Sequence, residues 1–277
     1  KISDPRFKFV YDENPDFNVI PGIGDPQMLF LANNVSRMKH STKLGTRIVE
    51  VHNGSSLFTG DAGGGESNLR RYIIENDMLE AIIAMPEKDF YNTGIGTYIW
   101  IVTNRKEARR KGKVQLIDAT TIKTPLRKNL GEKNCETNDD DRKKIIDLLL
   151  AFEENEYSKI FPNEEFGYWE VELFKPAKDE RGNVIKDKKG RVKMAKVKGE
   201  VEQIPFTYPG GIEAFHKNEV LPYEPEEVFG EPEIGYELSF TKYFYKPVQL
   251  RSIAEITADI RDIEKSTEGL LNEILGR

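Results

Sequence analysis

Between residues 25 and 120 the apolar positions switch repeatedly between two spacings. Met28, Leu31, Ala32, Val35 and Met38 recur at steps of three and four, which predicts a helix running to about Lys39. Asp25 stands at its capping position and Pro26 at its first residue. Arg47 to Val51 then reads as a strand. Glu66 to Asn76 returns to helical spacing, with Leu69, Tyr72 and Ile73 on one side and the acidic Glu66 in the first turn. Leu79 to Met85 is a short, mostly apolar run ended by Pro86, the pattern of a buried parallel strand. Thr97 to Val102 is β-branched and aromatic, and Val114 to Ile117 forms a fourth strand pattern. The order helix, strand, helix, strand, loop, strand, strand predicts an α/β sheet.

Outside this core the pattern changes. Residues 1–24 show no sustained period and read as an irregular lead-in. After residue 120, Asn138-Asp139-Asp140 precedes a predicted helix from about Arg142 to Glu153, with Ile145, Ile146, Leu149 and Leu150 on its apolar face. Val184 to Gly199 alternates apolar and basic positions and predicts a hairpin turning near Asp187-Lys188-Lys189-Gly190. Residues 205–247 mix prolines, aromatics and acids and read as an irregular wrap. Finally, Ile253, Ile256, Ile260, Ile263, Thr267, Leu270 and Ile274 follow alternating steps of three and four, the spacing of a coiled-coil seam. One amphipathic helix packed on its own domain and a helix docked on partner helices both fit that seam. These changes divide the chain into a lead-in (1–24), a core (25–120), an extension with a basic hairpin (121–250) and a terminal helix (251–277).

Composition narrows the class without choosing a function. At 277 residues, 38% hydrophobic and 32% charged, the chain is a polar globular protein with enough length for a sizeable core. No run of 18 apolar residues is present, so no membrane span is expected. The lone Cys135 cannot form an internal disulfide, which suits a reducing, cytoplasmic setting. Three scattered histidines and that cysteine predict no metal site. A chain that starts at Lys1 rather than methionine is expected to be a piece of a longer one. The net charge of −6 is unevenly distributed. Residues 105–113 hold six basic residues and one acidic, and residues 178–198 hold nine basic and three acidic, whereas residues 200–237 hold ten acidic and one basic. Both basic stretches are candidates for phosphate contact, the first through Arg105, Arg109, Arg110 and Lys111, with a plain solvated loop as the alternative.

The most informative stretch is residues 53–104, NGSSLFTGDAGGGESNLRRYIIENDMLEAIIAMPEKDFYNTGIGTYIWIVTN. Asn53, Gly54 and Ser55 follow a strand's C-terminal end, where α/β sheets place ligands. A glycine-rich loop (Gly60, Gly63, Gly64, Gly65) leads into a helix whose amides could meet DNA phosphate. It lacks the Gly-Lys-Ser/Thr ending of a phosphate-binding loop. Phe90-Tyr91-Asn92-Thr93-Gly94 sets two aromatics side by side in a polar loop after a strand. This run resembles the modification (M) subunit of type I restriction-modification systems, an S-adenosylmethionine-dependent DNA adenine-N6 methyltransferase. The resemblance continues through Lys113-Val114-Gln115-Leu116-Ile117-Asp118-Ala119 and at Val220-Leu221-Pro222-Tyr223.

The resemblance implies the second half of a Rossmann-like methyltransferase sheet, followed by an irregular and helical region ending in a long helix. It implies that Phe90, Tyr91, Asn92 and Thr93 contribute to the pocket for the target base. It also implies DNA, a specificity subunit and a restriction subunit as partners, with the C-terminal helix packing on the specificity subunit. Adenine-N6 chemistry needs a glycine turn that cradles the cofactor and an Asn/Asp-Pro-Pro-aromatic element that accepts from the target amine. Neither stands in its proper place here. Asn14-Pro15-Asp16-Phe17 imitates the second but lies too close to the helix at Asp25, and reads as a loop. Gly22-Ile23-Gly24 imitates the first but is interrupted by Pro21 and lacks the third glycine. The expected function is therefore part of such a catalytic subunit, inactive alone; the alternative is a non-catalytic interaction domain that keeps the half-fold for assembly.

Overall fold

The computed structural model describes residues 4–11, 14–24, 26–247 and 250–275, with side chains described for these except at 5, 10, 14–16 and 268–275. Residues up to Tyr243 make one compact unit and Phe244 onward a second. The lead-in is not wholly irregular. Strands β1 (Lys8–Tyr11) and β2 (Asn14–Asn18) pair antiparallel, and Phe9 and Phe17 are buried. Asn14-Pro15-Asp16-Phe17 is therefore strand, not loop. The first helix, α1 (Gln27–Ser36), buries Met28, Leu31, Ala32 and Val35 as the spacing requires. The capping role expected of Asp25 lies outside the described residues.

The core strands form as expected: β3 (Arg47–Asn53), then, after α2 (Gly65–Glu75), β4 (Leu79–Ala84), β5 (Thr97–Thr103) and β6 (Lys113–Asp118). They make a mixed sheet rather than a parallel one. β4 is buried along its whole length and runs parallel to β6, but β5 lies between β3 and β4 and is antiparallel to both. The cause is the connection between β4 and β5, which contains no helix, and a parallel return needs a crossover. One face of the sheet buries the cross-strand neighbours Ile82, Trp100 and Leu116 completely. On the other face Ala81, Ile83, Ile101 and Ile117 pack with Ala119, Ile122 and Ile145. Each of these isoleucines contributes roughly 1.5–3 kcal/mol through burial. This second face is covered only in part: Val49 and Val51 of β3 are 60% and 56% exposed. Among the described residues, β3 pairs on one edge alone.

Beyond the core, β7 (Thr124–Leu130) and β8 (Lys133–Glu136) form a hairpin. Helix α3 (Asp139–Ala151) starts at a reciprocal cap, in which the Asn138 side chain accepts from the Asp141 amide and the Asp141 side chain accepts from the Asn138 amide. Its buried line is Ile145 with the partly buried Leu148 and Leu149; Ile146 and Leu150, expected on the apolar face, point outward. Strand β9 (Ser158–Pro162) completes the sheet beside β6.

The expected hairpin of Val184–Gly199 is longer and differently paired. Its strands are β10 (Gly167–Pro176) and β11 (Met194–Pro205), and the residues between them form the tip. The stretch 205–247 also contains regular structure. It holds α4 (Gly211–Phe215), β12 (Val228–Phe229) and β13 (Glu233–Tyr236), both strands pairing with β10, and α5 (Phe240–Phe244). Short strands interrupted by prolines carry too little period to be read from sequence. In the second unit, α6 (Ile253–Leu275) opens at Ser252, whose hydroxyl accepts from the Glu255 amide while the Glu255 carboxylate accepts from the Ser252 amide. Ile253, Ile256, Ile260 and Ile263 are exposed along it, whereas the side chains of Leu270 and Ile274 lie outside the described residues.

Candidate functional site at the carboxyl edge of the sheet

The pairing register brings the expected site segments to one end of the sheet. Asn53 lies opposite Thr97, and Ala84 lies beside both Tyr98 and Asp118. The loops that leave β3, β4 and β6 therefore emerge together, at the carboxyl ends where α/β sheets hold ligands. Asn53, Gly54 and Ser55 are built into the fold there. Asn53 caps a short 3-10 turn, its Oδ1 accepting from the Ser55 amide at 2.8 Å and from Gln27 Nε2 at 2.8 Å. Its own amide donates to Gln27 Oε1 at 3.0 Å. Trp100 Nε1 donates to Ser56 Oγ at 3.1 Å beneath the turn. Asn53 thus fixes the rim to the first turn of α1.

The glycine-rich loop is a clasp. Glu66 Oε1 accepts from the Gly22 amide at 2.7 Å, and Asn68 Nδ2 donates to the Asn18 and Gly63 carbonyls at 2.9 and 2.8 Å. A Cβ on Gly65 would lie 1.8 Å from the Ile20 carbonyl oxygen, so only glycine lets the two backbones meet. Sequence reasoning missed Arg70, whose fully buried guanidinium donates to the carbonyls of Tyr236, Ser56 and Thr59 at 2.6, 3.0 and 2.8 Å. Burial pulls its pKa down to about 10. The signal was available, since Arg70 falls among the apolar Leu69, Ile73 and Ile74 of one helix and a charge on that face needs buried acceptors.

Phe90 to Thr93 behaves differently. The loop is fastened to the β7–β8 hairpin at its base. Asp89 accepts from Lys133 Nζ at 3.0 Å and from the Thr137 hydroxyl at 2.8 Å, and the Glu132 amide donates to the Tyr91 carbonyl at 3.1 Å. The rings are left open: Phe90 is 42% and Tyr91 61% exposed, with Lys133 Nζ 5.6 Å from the Tyr91 ring. Asn92 is exposed and Thr93 half-buried.

Of the four cations expected at phosphate, Arg110 is buried, while Arg105 and Arg109 are exposed but bonded to backbone carbonyls. Arg110 is 2% exposed, ion-paired with Glu80 at 3.5 Å and 4.4 Å from the Phe152 ring centre; it also donates to the Leu149 carbonyl. Arg109 donates to the Leu150 and Ala151 carbonyls at 2.7 and 3.1 Å. Both close the C-terminus of α3, where unpaired carbonyls and the helix dipole favour cations. Arg105 donates to the carbonyls of Asn104 and His40 at 2.8 and 2.7 Å. Only Lys111 is exposed with no side-chain partner among the described residues. Arg110 is thus closed off from solvent, while Arg105, Arg109 and Lys111 stay exposed.

A cleft of about 820 Å³ opens beside the clasp, lined by Asn18, Ile20, Pro21, Gly22, Ile23 and Pro26 among others. It follows an antiparallel hairpin rather than a core strand, and its lining among the described residues is mostly apolar.

Residues 4–172 match the model of a family described as N-6 DNA Methylase. The type I restriction enzyme MjaIX methylase subunit of Methanocaldococcus jannaschii is 28% identical over 156 residues, 56% of this chain and 25% of that protein. The MjaVII methylase subunit of the same organism is 37% identical over 109 residues, 37% of this chain and 18% of that protein. The chain therefore matches a quarter or less of the length of these relatives. A crystal structure of the type I restriction-modification system methyltransferase subunit from Streptococcus thermophilus covers 58% of this chain and 30% of its own, at 22% identity and a TM-score of 0.46.

Proposed function

Because the chain belongs to the N-6 DNA methylase family, we propose that it is part of the modification subunit of a type I restriction-modification system, a cytoplasmic enzyme that transfers a methyl group from S-adenosylmethionine to adenine N6 in DNA. The observation that carries this is the family match over residues 4–172. The finer fold reading is that β3, β5, β4 and β6 form the second half of a Rossmann-like sheet. The half-covered face at Val49 and Val51 and the single paired edge of β3 support it, since an apolar edge strand calls for a covering strand. Neither the cofactor turn nor the Asn/Asp-Pro-Pro-aromatic element stands in its proper place in the sequence, so this chain alone is not expected to methylate DNA.

In the complete enzyme, Phe90 and Tyr91 would stack on the extruded base, with Asn92 and Thr93 beside them and Asn53, Gly54 and Ser55 forming the rim. Two exposed aromatics at the carboxyl edge of a sheet support that reading. Stacking of this kind contributes about 1–3 kcal/mol per base. Replacing each ring by alanine in the full-length enzyme should slow methylation about fivefold to a hundredfold, with folding intact. Normal rates in both variants would make the pair structural.

The partners follow from the same reading: DNA, a specificity subunit and a restriction subunit. The exposed isoleucines of α6 favour docking onto helices of the specificity subunit, because a helix with a narrow apolar seam is marginal alone. Deleting residues 252–277 should abolish co-purification with that subunit. Assembly of the truncated protein would return the seam to packing within its own chain.

A further inference from the structure

The residues between β10 and β11 repeat themselves. Lys178-Asp179-Glu180-Arg181-Gly182-Asn183-Val184 is followed at a period of eight by Lys186-Asp187-Lys188-Lys189-Gly190-Arg191-Val192. Each copy folds into the same turn. Asp179 Oδ1 accepts from the amides of Arg181 and Asn183, both at 2.9 Å; Asp187 Oδ1 accepts from those of Lys189 and Arg191 at 2.8 and 2.9 Å. Gly182 and Gly190 take φ of +83° and +79°, which a side chain would strain. Lys178 bridges Val184 in the first copy, and Lys186 bridges Val192 in the second.

The three equivalent positions that flank the turns close a ring. The Ala177 amide donates to the Lys193 carbonyl at 2.8 Å, the Lys193 amide to the Ile185 carbonyl at 2.9 Å, and the Ile185 amide to the Ala177 carbonyl at 2.8 Å. The tip is thus a two-lobed, internally bonded structure rather than a slack loop.

Its charges are sorted along its length. At the base, Lys175 pairs with Glu224 and Glu227, Lys178 with Glu226, and Lys196 with Glu172. At the tip, Arg181, Lys186, Lys188, Lys189 and Lys193 make no ion pair among the described residues, and all are exposed. The second lobe is the more cationic, because Lys188 and Arg191 replace Glu180 and Asn183 of the first. Unpaired cations held close together repel one another, and a polyanion relieves that repulsion while its counterions are released.

Resting on the methyltransferase reading above, we propose that this tandem-turn tip is a contact to the DNA backbone, seated on phosphates and reading no bases. Lysines, which act as point charges, dominate it, and contacts of that kind position a protein without selecting sequence.

The test combines Lys186→Gln, Lys188→Gln, Lys189→Gln and Lys193→Gln, which leave both turn aspartates and glycines in place. Binding of the 277-residue chain to two double-stranded oligonucleotides of unrelated sequence is measured by fluorescence anisotropy across a salt series. The slope of log affinity against log salt should shrink by roughly 0.9 for each phosphate no longer neutralised, to the same extent on both sequences. A circular dichroism spectrum matching the parent establishes that the variant is folded. An unchanged slope overturns the proposal, as does a weakening confined to one sequence or a parent chain that binds neither duplex at low salt. The methylation assay on Phe90 and Tyr91 does not depend on the tip. Inactive ring variants together with an unchanged salt slope would remove the backbone contact and leave the methyltransferase reading in place.

Discussion

Two stretches of nearly the same composition meet opposite fates in this protein. Residues 105–113 and 178–198 are both dense in lysine and arginine. The first sits at the end of β5, where the C-terminus of α3 and the carboxylates of Asp77 and Glu80 are within reach; Lys106 and Arg110 turn inward to satisfy them, and Arg109 bonds the end of α3 from the surface. The second is carried on a ribbon whose base meets acids from residues 224–227 and Glu172. At its tip Arg191 pairs with Asp187, while Arg181, Lys186, Lys188, Lys189 and Lys193 stay in water without an ion pair among the described residues. Charge density in sequence is thus a poor guide to availability. What decides it is whether buried acceptors lie nearby, because a carbonyl or carboxylate closed off from water costs about 1–3 kcal/mol when left unpaired, and more if charged.

The largest expected effect tests the inward stretch. Arg110→Ala removes a buried cation from Glu80 and from the end of α3. Breaking such a pair costs about 3–5 kcal/mol, and the low end applies because Glu80 keeps Arg47 at 3.0 Å. Arg109→Ala, half exposed, should cost only about 1 kcal/mol for its missing carbonyl bonds. Urea unfolding measures both. If Arg110→Ala unfolds at the parent midpoint, the stretch is not structural and the contrast between the two regions collapses.

This contrast also marks where the sequence stops being legible. The core can be read because periods of two and of three to four are imposed by burial itself, as at Leu79–Ala84 and along Leu69 and Ile73. The shared position of two segments can be read as well: turn residues after a strand place Asn53–Ser55, and a loop after a strand places Phe90 and Tyr91, at one end of the sheet. The direction of β5 cannot be read in the strand itself; it follows from the helix-free connection that precedes it. Nor can the destinations of Arg70 and Arg110, whose acceptors lie far away in sequence: Tyr236 for the first, Leu149 for the second. The tandem turns are a different case. The recurring Lys-Asp-x-x-Gly-x-Val is plain in the chain, but the alternation of apolar and basic residues laid over it imitates one simple hairpin and hides the repeat.

An effect near zero is expected from the ribbon. The four-lysine variant should unfold within about 0.5 kcal/mol of the parent, because exposed side chains with no partners contribute little. The same substitutions are those expected to flatten the salt dependence of DNA binding. A fall in stability on neutralising the tip would mean that its cations hold the fold together and that the two basic stretches are alike after all.

The finest distinction is one of protons. Lys106, in the inward stretch, has its ammonium buried, bonded to Asp77 at 2.6 Å and to the Lys113 carbonyl at 2.7 Å. Burial pulls its pKa below the ordinary lysine value of 10.5, and the bond to Asp77 only partly restores it. The sign of the effect on stability follows from linkage. Between the depressed folded value and 10.5 the unfolded chain binds more protons than the folded one, so raising the pH through that window stabilises the fold. Well below the window both states are protonated and the contribution of Lys106 does not vary with pH. Lys106→Gln removes the titration. The stability of the parent minus that of the variant should therefore be flat near neutrality and rise as the pH approaches 10.5. Urea midpoints of the two proteins across the alkaline range measure it. A difference that stays constant would show that the ammonium is hydrated in the folded state, and the boundary between the buried and the solvent-facing basic stretches would have to be redrawn at Lys106.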